Sequence, residues 1–229
     1  KPEQKRIPTT YYARSGPVGQ VFESRKDEGP RHVCVLGLGA GTMATYGRKG
    51  DRFTIYEIDP NVVKIASNPR YFTYVSDSSA KIDFVLGDAR LKLVNSSNRY
   101  DIMVMDAYSS DAVPLHLITK EALELYLARL APGGVIAFHI SNRHMEFEPV
   151  LANLAESLGI EARIQWDSGG ESEAEPGKTS SEWVALARTE EDLGSLAKDR
   201  KWRVLQPEPA VGVWTDDFNS ILPILNAWR

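Results

Sequence analysis

Cysteine is nearly absent from this 229-residue chain: Cys34 stands alone. That excludes an internal disulfide framework and a zinc site built on several thiolates, and it predicts a reducing compartment. No apolar run approaches the roughly 18 to 20 residues needed to span a bilayer. The opening Lys-Pro-Glu-Gln-Lys-Arg has no apolar signal core. The expectation is a soluble, cytoplasmic protein. Positive charge is outnumbered, 27 Lys and Arg against 31 Asp and Glu, for a net charge of -4. This argues against a broad electrostatic grip on nucleic acid and suits a cationic small molecule better. There is no repeat of fixed period and no GxxxxGK[ST] phosphate loop, so phosphoryl transfer from a nucleotide is not expected. No two His share metal-ligand spacing with a carboxylate on a helix, and no metal is expected. His139 and His144 read as structural or loop polar groups, and Cys34 reads as a small buried hydrophobe.

What is present points to an α/β domain. From His32 onward, apolar β-branched runs alternate with helical patterns, as in a parallel sheet with crossover helices. Strands are predicted over 32–37, 53–57, 81–86, 101–106 and 134–140. Helices are predicted over 41–48, 60–67, 118–130 and 147–158, the third with Thr119 as cap and Pro132-Gly133-Gly134 as stop. Two further runs, 160–166 and 182–188, are joined by an acidic loop, 168–180, whose Gly, Ser, Glu and Pro content is that of a mobile segment. A connection without a helix predicts an antiparallel final pair. An amphipathic stretch, 217–228, closes the chain. The first 25 residues hold two short extended candidates, Thr9 to Arg14 and Gly19 to Glu23, around a Ser15-Gly16-Pro17 turn. Residues 1–25 are therefore expected to form a short N-terminal β segment or lid, and 26–229 a Rossmann-like, doubly wound domain.

Three strand ends carry ligand-binding signals. The first runs into Gly37-Leu38-Gly39-Ala40-Gly41, where backbone can approach a ligand closely, although a tight strand-to-helix turn explains the glycines equally. The second ends in Glu57-Ile58-Asp59, placing Glu57 to accept from ribose hydroxyls, with Asp59 as a helix cap. The third ends in Gly87-Asp88-Ala89, where Asp88 either meets an adenine amine or caps the next helix. Together they describe an adenosine-containing ligand across the sheet edge. A dinucleotide fingerprint wants glycine at position 42, which is Thr42, so the glycine pattern fits S-adenosylmethionine better than NAD. The fourth strand ends in Asp106-Ala107-Tyr108-Ser109-Ser110-Asp111-Ala112-Val113-Pro114. Its paired carboxylates can hold a cationic amine and take its proton; turn and loop-capping roles are the alternatives. Tyr11, Tyr12 and Gln20 lie in the segment expected to fold over the ligand mouth. Trp214 with Asp216 suits the far wall of an amine pocket, or equally a core filler and a helix cap.

The segments GLGAG, YEIDP, GDAR, MDAYSSDAVP and ALELYLARLAPGGVIAFHISNR resemble the spermidine synthase family of aminopropyltransferases, which has the class I methyltransferase-like fold. The likeness is strongest to the bacterial branch joined to a membrane-embedded segment, and it runs over roughly residues 9–229. It implies Gly37, Gly39 and Gly41 around decarboxylated S-adenosylmethionine, Glu57 at ribose, and Asp88 and Ala89 at adenine, with Ile58 also among the cofactor-binding residues. It implies Asp106 as the base; for such an enzyme Asp111 is the candidate to hold the amine's charge, and Tyr12, Gln20, Tyr108, Ser109, Trp214 and Asp216 are the candidates to surround a di- or polyamine. A homodimer and a tethered membrane segment are the partners it suggests, and it involves no metal. Two departures stand out. Ala40 replaces the Asp of the family's GGGDG loop, and Ala107 and Tyr108 separate Asp106 from the Ser pair where the family's DSSDP has nothing between. A methyltransferase using S-adenosylmethionine itself, or a non-catalytic nucleoside- or polyamine-binding module, are the alternatives.

Overall fold

The structure, a computed structural model, describes residues 7–107, 114–170, 172, 175 and 177–226. From residue 32 onward, every apolar run read as a strand forms one. These are β1 (His32–Leu36), β2 (Arg52–Glu57), β3 (Lys81–Leu86), β4 (Tyr100–Met105), β5 (Leu130–His139), β6 (Glu161–Asp167) and β7 (Ser181–Ala187), with a two-residue edge strand, β8 (Arg203–Val204). They make one sheet in the order β3-β2-β1-β4-β5-β7-β6-β8. The first five strands are parallel, and β7, β6 and β8 add antiparallel. Chain direction across the sheet reverses between β1 and β4, and open α/β sheets bind ligands beyond the carboxyl ends of such a pair.

Burial on both faces explains why the central strands are continuously apolar. In β1, Val33 and Val35 join one core cluster, beneath α1 (Pro17–Glu23) and α2 (Pro60–Ala66). Cys34 and Leu36 join the other, beneath α3 (Ala89–Val94), α4 (Lys120–Arg129) and α5 (Glu148–Leu158). Thr119 caps α4, its Oγ1 accepting from the Ala122 N–H at 3.2 Å. The helix stops at Arg129, earlier than the glycines, because Leu130 already pairs with Tyr100; Pro132-Gly133-Gly134 sits where the β4/β5 register shifts.

The N-terminal segment departs from expectation. It holds no strand among its described residues: Thr10–Tyr12 is a 3-10 turn and Pro17–Glu23 a helix. Pro17 starts that helix at a position where its missing N–H costs nothing. Val18, Val21 and Phe22 then recur at helical spacing, and all three are buried. The 41–48 helix is only a 3-10 turn, Thr42–Tyr46, so no helix dipole aims at the glycine loop. Over 217–226 the amphipathic stretch does not form an α-helix among the described residues; it holds the 3-10 turn Leu222–Ile224, with Pro223 in its first positions. In the acidic loop, Glu175 accepts from the Ser15 N–H at 2.8 Å and Thr10 N–H donates to the Gly177 carbonyl at 3.0 Å. Its described residues thus fasten the N-terminal segment to the sheet edge. Among the described residues no helix is long and apolar enough to cross a membrane.

Candidate active site

The carboxyl ends of β1, β2, β3 and β4 open on a cleft of about 390 Å³. Gly37, Gly39, Glu57, Ile58, Asp88, Ala89 and Asp106, all singled out from the sequence, line it together with Tyr12. Gly37 has φ +95°, and a Cβ there would lie 2.4 Å from the carbonyl oxygen of Asp106. Glycine is therefore what lets β1 and β4 come close at the switch point. Gly37→Ala is expected to cost on the order of 1 to 3 kcal/mol from conformation alone. Displacement of the Asp106 backbone adds to this, so both thermal stability and nucleoside affinity should fall; an unchanged melting temperature would refute the close-approach argument.

Glu57 bridges the two loops. Its Oε2 accepts from the Leu38 N–H at 3.1 Å and its Oε1 from the Asp59 N–H at 3.0 Å. Each oxygen keeps a further lone pair for a ligand hydroxyl. Asp59 caps α2 by accepting from the Asn61 N–H. Asp88 caps α3 through Oδ1, with the Leu91 N–H at 2.9 Å, while its Oδ2 lies 3.1 Å from His116 Nε2. Capping and facing the cleft thus coexist in one side chain.

At the other end of the cleft the Asp106 side chain is only 4% exposed. Tyr12 Oη donates to Oδ2 at 2.5 Å, and His139 Nδ1 lies 2.9 Å from Oδ1. A carboxylate can only accept, so Nδ1 carries the proton. On its other side, His139 Nε2 is 2.9 Å from Ser141 Oγ. The imidazole is stacked between Tyr11, with centroids 4.2 Å apart, and Trp183, at 4.7 Å. Tyr11 and Tyr12 join hydroxyls at 3.0 Å. Burial first, and then the Asp106 charge, pushes the Tyr11 phenol up to about 12 and that of Tyr12 well above its ordinary value. Both phenols therefore stay protonated, and Tyr12 remains a donor to the carboxylate.

His139 was legible only as a loop or structural group. Its signal lies in register: β4 and β5 are parallel with Met105 opposite Phe138, so the residues that follow, Asp106 and His139, stand side by side. Other residues expected at the site lie elsewhere. Trp214 is fully buried, edge-on to Phe147 with centroids 6.3 Å apart. Asp216 accepts from Arg90 at 2.7 and 2.5 Å and from Thr119 at 2.8 Å. The Arg90 hydrogen bonds hold its carboxyl below the usual range. The two residues thus fill core and clamp the α3/α4 side instead of walling the cleft. Gln20 accepts from the Trp202 indole at 2.8 Å and secures α1. Gly41 precedes the 3-10 turn outside the cleft lining. Tyr108, Ser109 and Asp111 lie outside the described residues. Among the described residues no group of three or more His, Cys, Asp or Glu is placed to hold a metal ion.

Fold and cleft together define the class: a Rossmann-like α/β domain of the class I methyltransferase type. The resemblance within that class is to the spermidine synthase family. The chain is 29% identical over 141 residues to a polyamine aminopropyltransferase of Vibrio vulnificus, covering 59% of its own length and 44% of the relative's. It therefore spans less than half the length of that relative. Among solved structures, a probable spermidine synthase from Corynebacterium glutamicum superposes with TM-score 0.56 at 18% identity, over 81% of this chain and 66% of the other. An O-methyltransferase from Bacillus cereus in complex with SAH superposes with TM-score 0.52 at 15% identity, over 82% of each chain. No family model matches the chain.

Proposed function

We propose that this protein transfers an aminopropyl group from decarboxylated S-adenosylmethionine to a nitrogen of a small di- or polyamine and releases methylthioadenosine. The observation that carries the reading is the Asp106 carboxylate, buried beside the glycine loop and held by Tyr12 and His139. The name of the Vibrio vulnificus relative supports it.

In this reading Glu57 takes the ribose hydroxyls, and Asp88 with Ala89 and Ile58 faces the adenine. The acceptor amine reaches the site mostly as ammonium and must lose a proton before it attacks. Asp106 takes that proton. The nitrogen lone pair then forms the new N–C bond while the C–S bond breaks and its electron pair stays on sulfur, which becomes the neutral thioether of methylthioadenosine. The leaving group is already activated by its positive charge, so catalysis consists of positioning and of excluding water. Tyr12 and His139 fix the Asp106 oxygens, and the Tyr11 ring packs on both of their rings.

A second reading, methyl transfer from S-adenosylmethionine, is favoured by Ala40, which leaves no carboxylate in the glycine loop for the cationic end of the decarboxylated donor. A mass-spectrometric assay offering each donor with a panel of amines separates the two. Methylthioadenosine together with an amine heavier by one aminopropyl unit is the expected result. S-adenosylhomocysteine as the nucleoside product would replace the first reading by the second, and binding without any product would refute both.

A further inference from the structure

A second hollow, of about 540 Å³, opens on the far side of the Tyr11–His139 stack; these two residues line both spaces. Its other walls include Arg143, Trp166, Asn142 and Glu182. Trp166 and Glu182 are directly opposite across the antiparallel β6/β7 pair, so their side chains share one face about 5 Å apart. Trp166, which lines the hollow, is 65% exposed, a large aromatic surface left uncovered. Glu182 is held in place by its backbone, its N–H donating to Ser141 Oγ at 2.8 Å and its carbonyl accepting from the Ile140 N–H at 2.9 Å.

Arg143 and Glu182, of opposite charge, both line this space. Among the described residues the Arg143 guanidinium has no ion pair or hydrogen bond, and the Glu182 carboxylate has none either. The cation nearest in effect to Glu182, Arg203, is occupied by Glu148, which accepts from both of its terminal nitrogens at 2.6 Å. Burial, and then the charge of Glu148, pushes the Glu182 carboxyl up, against the opposing pull of Arg203. An arriving ammonium would relieve that cost, with the Trp166 face adding cation–π attraction. A plain diamine, positive at both ends, would leave Arg143 facing a like charge.

We propose that this hollow is the acceptor site and that it selects an amine which also carries a carboxylate, the carboxylate on Arg143 and an ammonium on Glu182 and Trp166. This rests on the transfer reading for the adjoining cleft, and it changes the acceptor from a plain polyamine to an amino acid. The reactive amine would extend past Tyr11 and His139 towards Asp106.

The matched probes are 1,4-diaminobutane and 2,5-diaminopentanoate (ornithine), which is the same diamine skeleton bearing a carboxylate. Binding of each is measured by calorimetry with the full chain saturated in methylthioadenosine, so that no turnover is needed. Ornithine should bind at least about tenfold tighter, which is what one charge-assisted contact supplies. Arg143→Gln should erase that preference, Arg143→Lys should restore part of it, and Glu182→Gln should weaken both probes. Equal or tighter binding of the diamine to the unaltered protein, or indifference of both probes to Arg143→Gln, would overturn the proposal. Methylthioadenosine formation is followed in parallel: charge-dependent binding with no nucleoside product from any acceptor would uphold the hollow as a site and defeat the transfer reading instead.

Discussion

Asp106→Asn is expected to lower turnover by about 10² to 10⁴-fold, the usual contribution of a positioned general base. The geometry makes the substitution a clean one. The side chain is nearly isosteric, and its amide oxygen can still accept from His139 Nδ1, 2.9 Å away in the native site. On the other side the amide nitrogen meets the Tyr12 hydroxyl, which can rotate from donor to acceptor. What is lost is the capacity to take a proton from the acceptor amine. In the proposed reading the nucleoside is held by residues at the ends of β1, β2 and β3, so methylthioadenosine affinity should stay within about threefold of the native value. Residual turnover should rise steeply with pH, because only acceptor neutralised in solution could then react. Turnover within about threefold of the native enzyme would remove Asp106 from the chemistry. A parallel loss of nucleoside affinity would mean that it shapes the cleft instead.

The sheet and the cleft at its carboxyl edge are legible because they rest on local patterns. Central parallel strands are buried on both faces and so read as unbroken β-branched runs, and a loop at a strand end must carry its ligand-facing residue within one or two positions of the strand. Glu57, Asp88 and Asp106 all follow that rule. The Asp106 end of the cleft is poorly legible because it is assembled from neighbours in space. His139 meets Asp106 only through the order of β4 and β5 in the sheet, and Tyr11 and Tyr12 arrive from a segment read as extended. The second extended candidate there, Gly19 to Glu23, gives way to a helix because Pro17 starts one and the spacing of Val18, Val21 and Phe22 buries a helical face. Trp214 and Asp216 were drawn to the site by side-chain chemistry alone. An aromatic beside a carboxylate suits an ammonium, but it suits equally a core filler beside an arginine clamp, and tertiary packing against Phe147 and Arg90 decided between them.

The largest expected effect on stability lies at the opposite end of the sheet, in Asp51→Ala. The Asp51 and Arg31 side chains are 1% and 3% exposed and pair at 2.7 Å. Asp51 also accepts from the Arg31 N–H at 2.9 Å and the Arg48 N–H at 3.1 Å, and Arg31 in turn donates to the Phe22 and Tyr46 carbonyls, each at 3.2 Å. Removing the carboxylate strands a buried guanidinium and two backbone donors, a loss of about 3 to 5 kcal/mol. For a domain of this size that is on the order of 10 °C in melting temperature. Replacing both charges by apolar residues should recover only part of it, because the backbone donors stay unmet. The native pair also sets a pH dependence. Burial alone would raise the Asp51 carboxyl, but hydrogen bonds from Arg31 and Arg48 outweigh it and hold it at about 2, against an ordinary 3.8. Because the folded value is the lower one, the stabilisation is complete above 3.8 and is lost as pH falls towards 2. It amounts to roughly 2 kcal/mol. Unfolding curves between pH 5 and 2 should show this component in the native protein and lack it in Asp51→Ala; curves that fall in parallel would assign the acid sensitivity to other carboxylates. The same cluster grips the last turn of α1 through the Phe22 carbonyl. Loosening it should free the segment that carries Tyr11 and Tyr12, so Asp51→Ala should also lower turnover from the far side of the sheet.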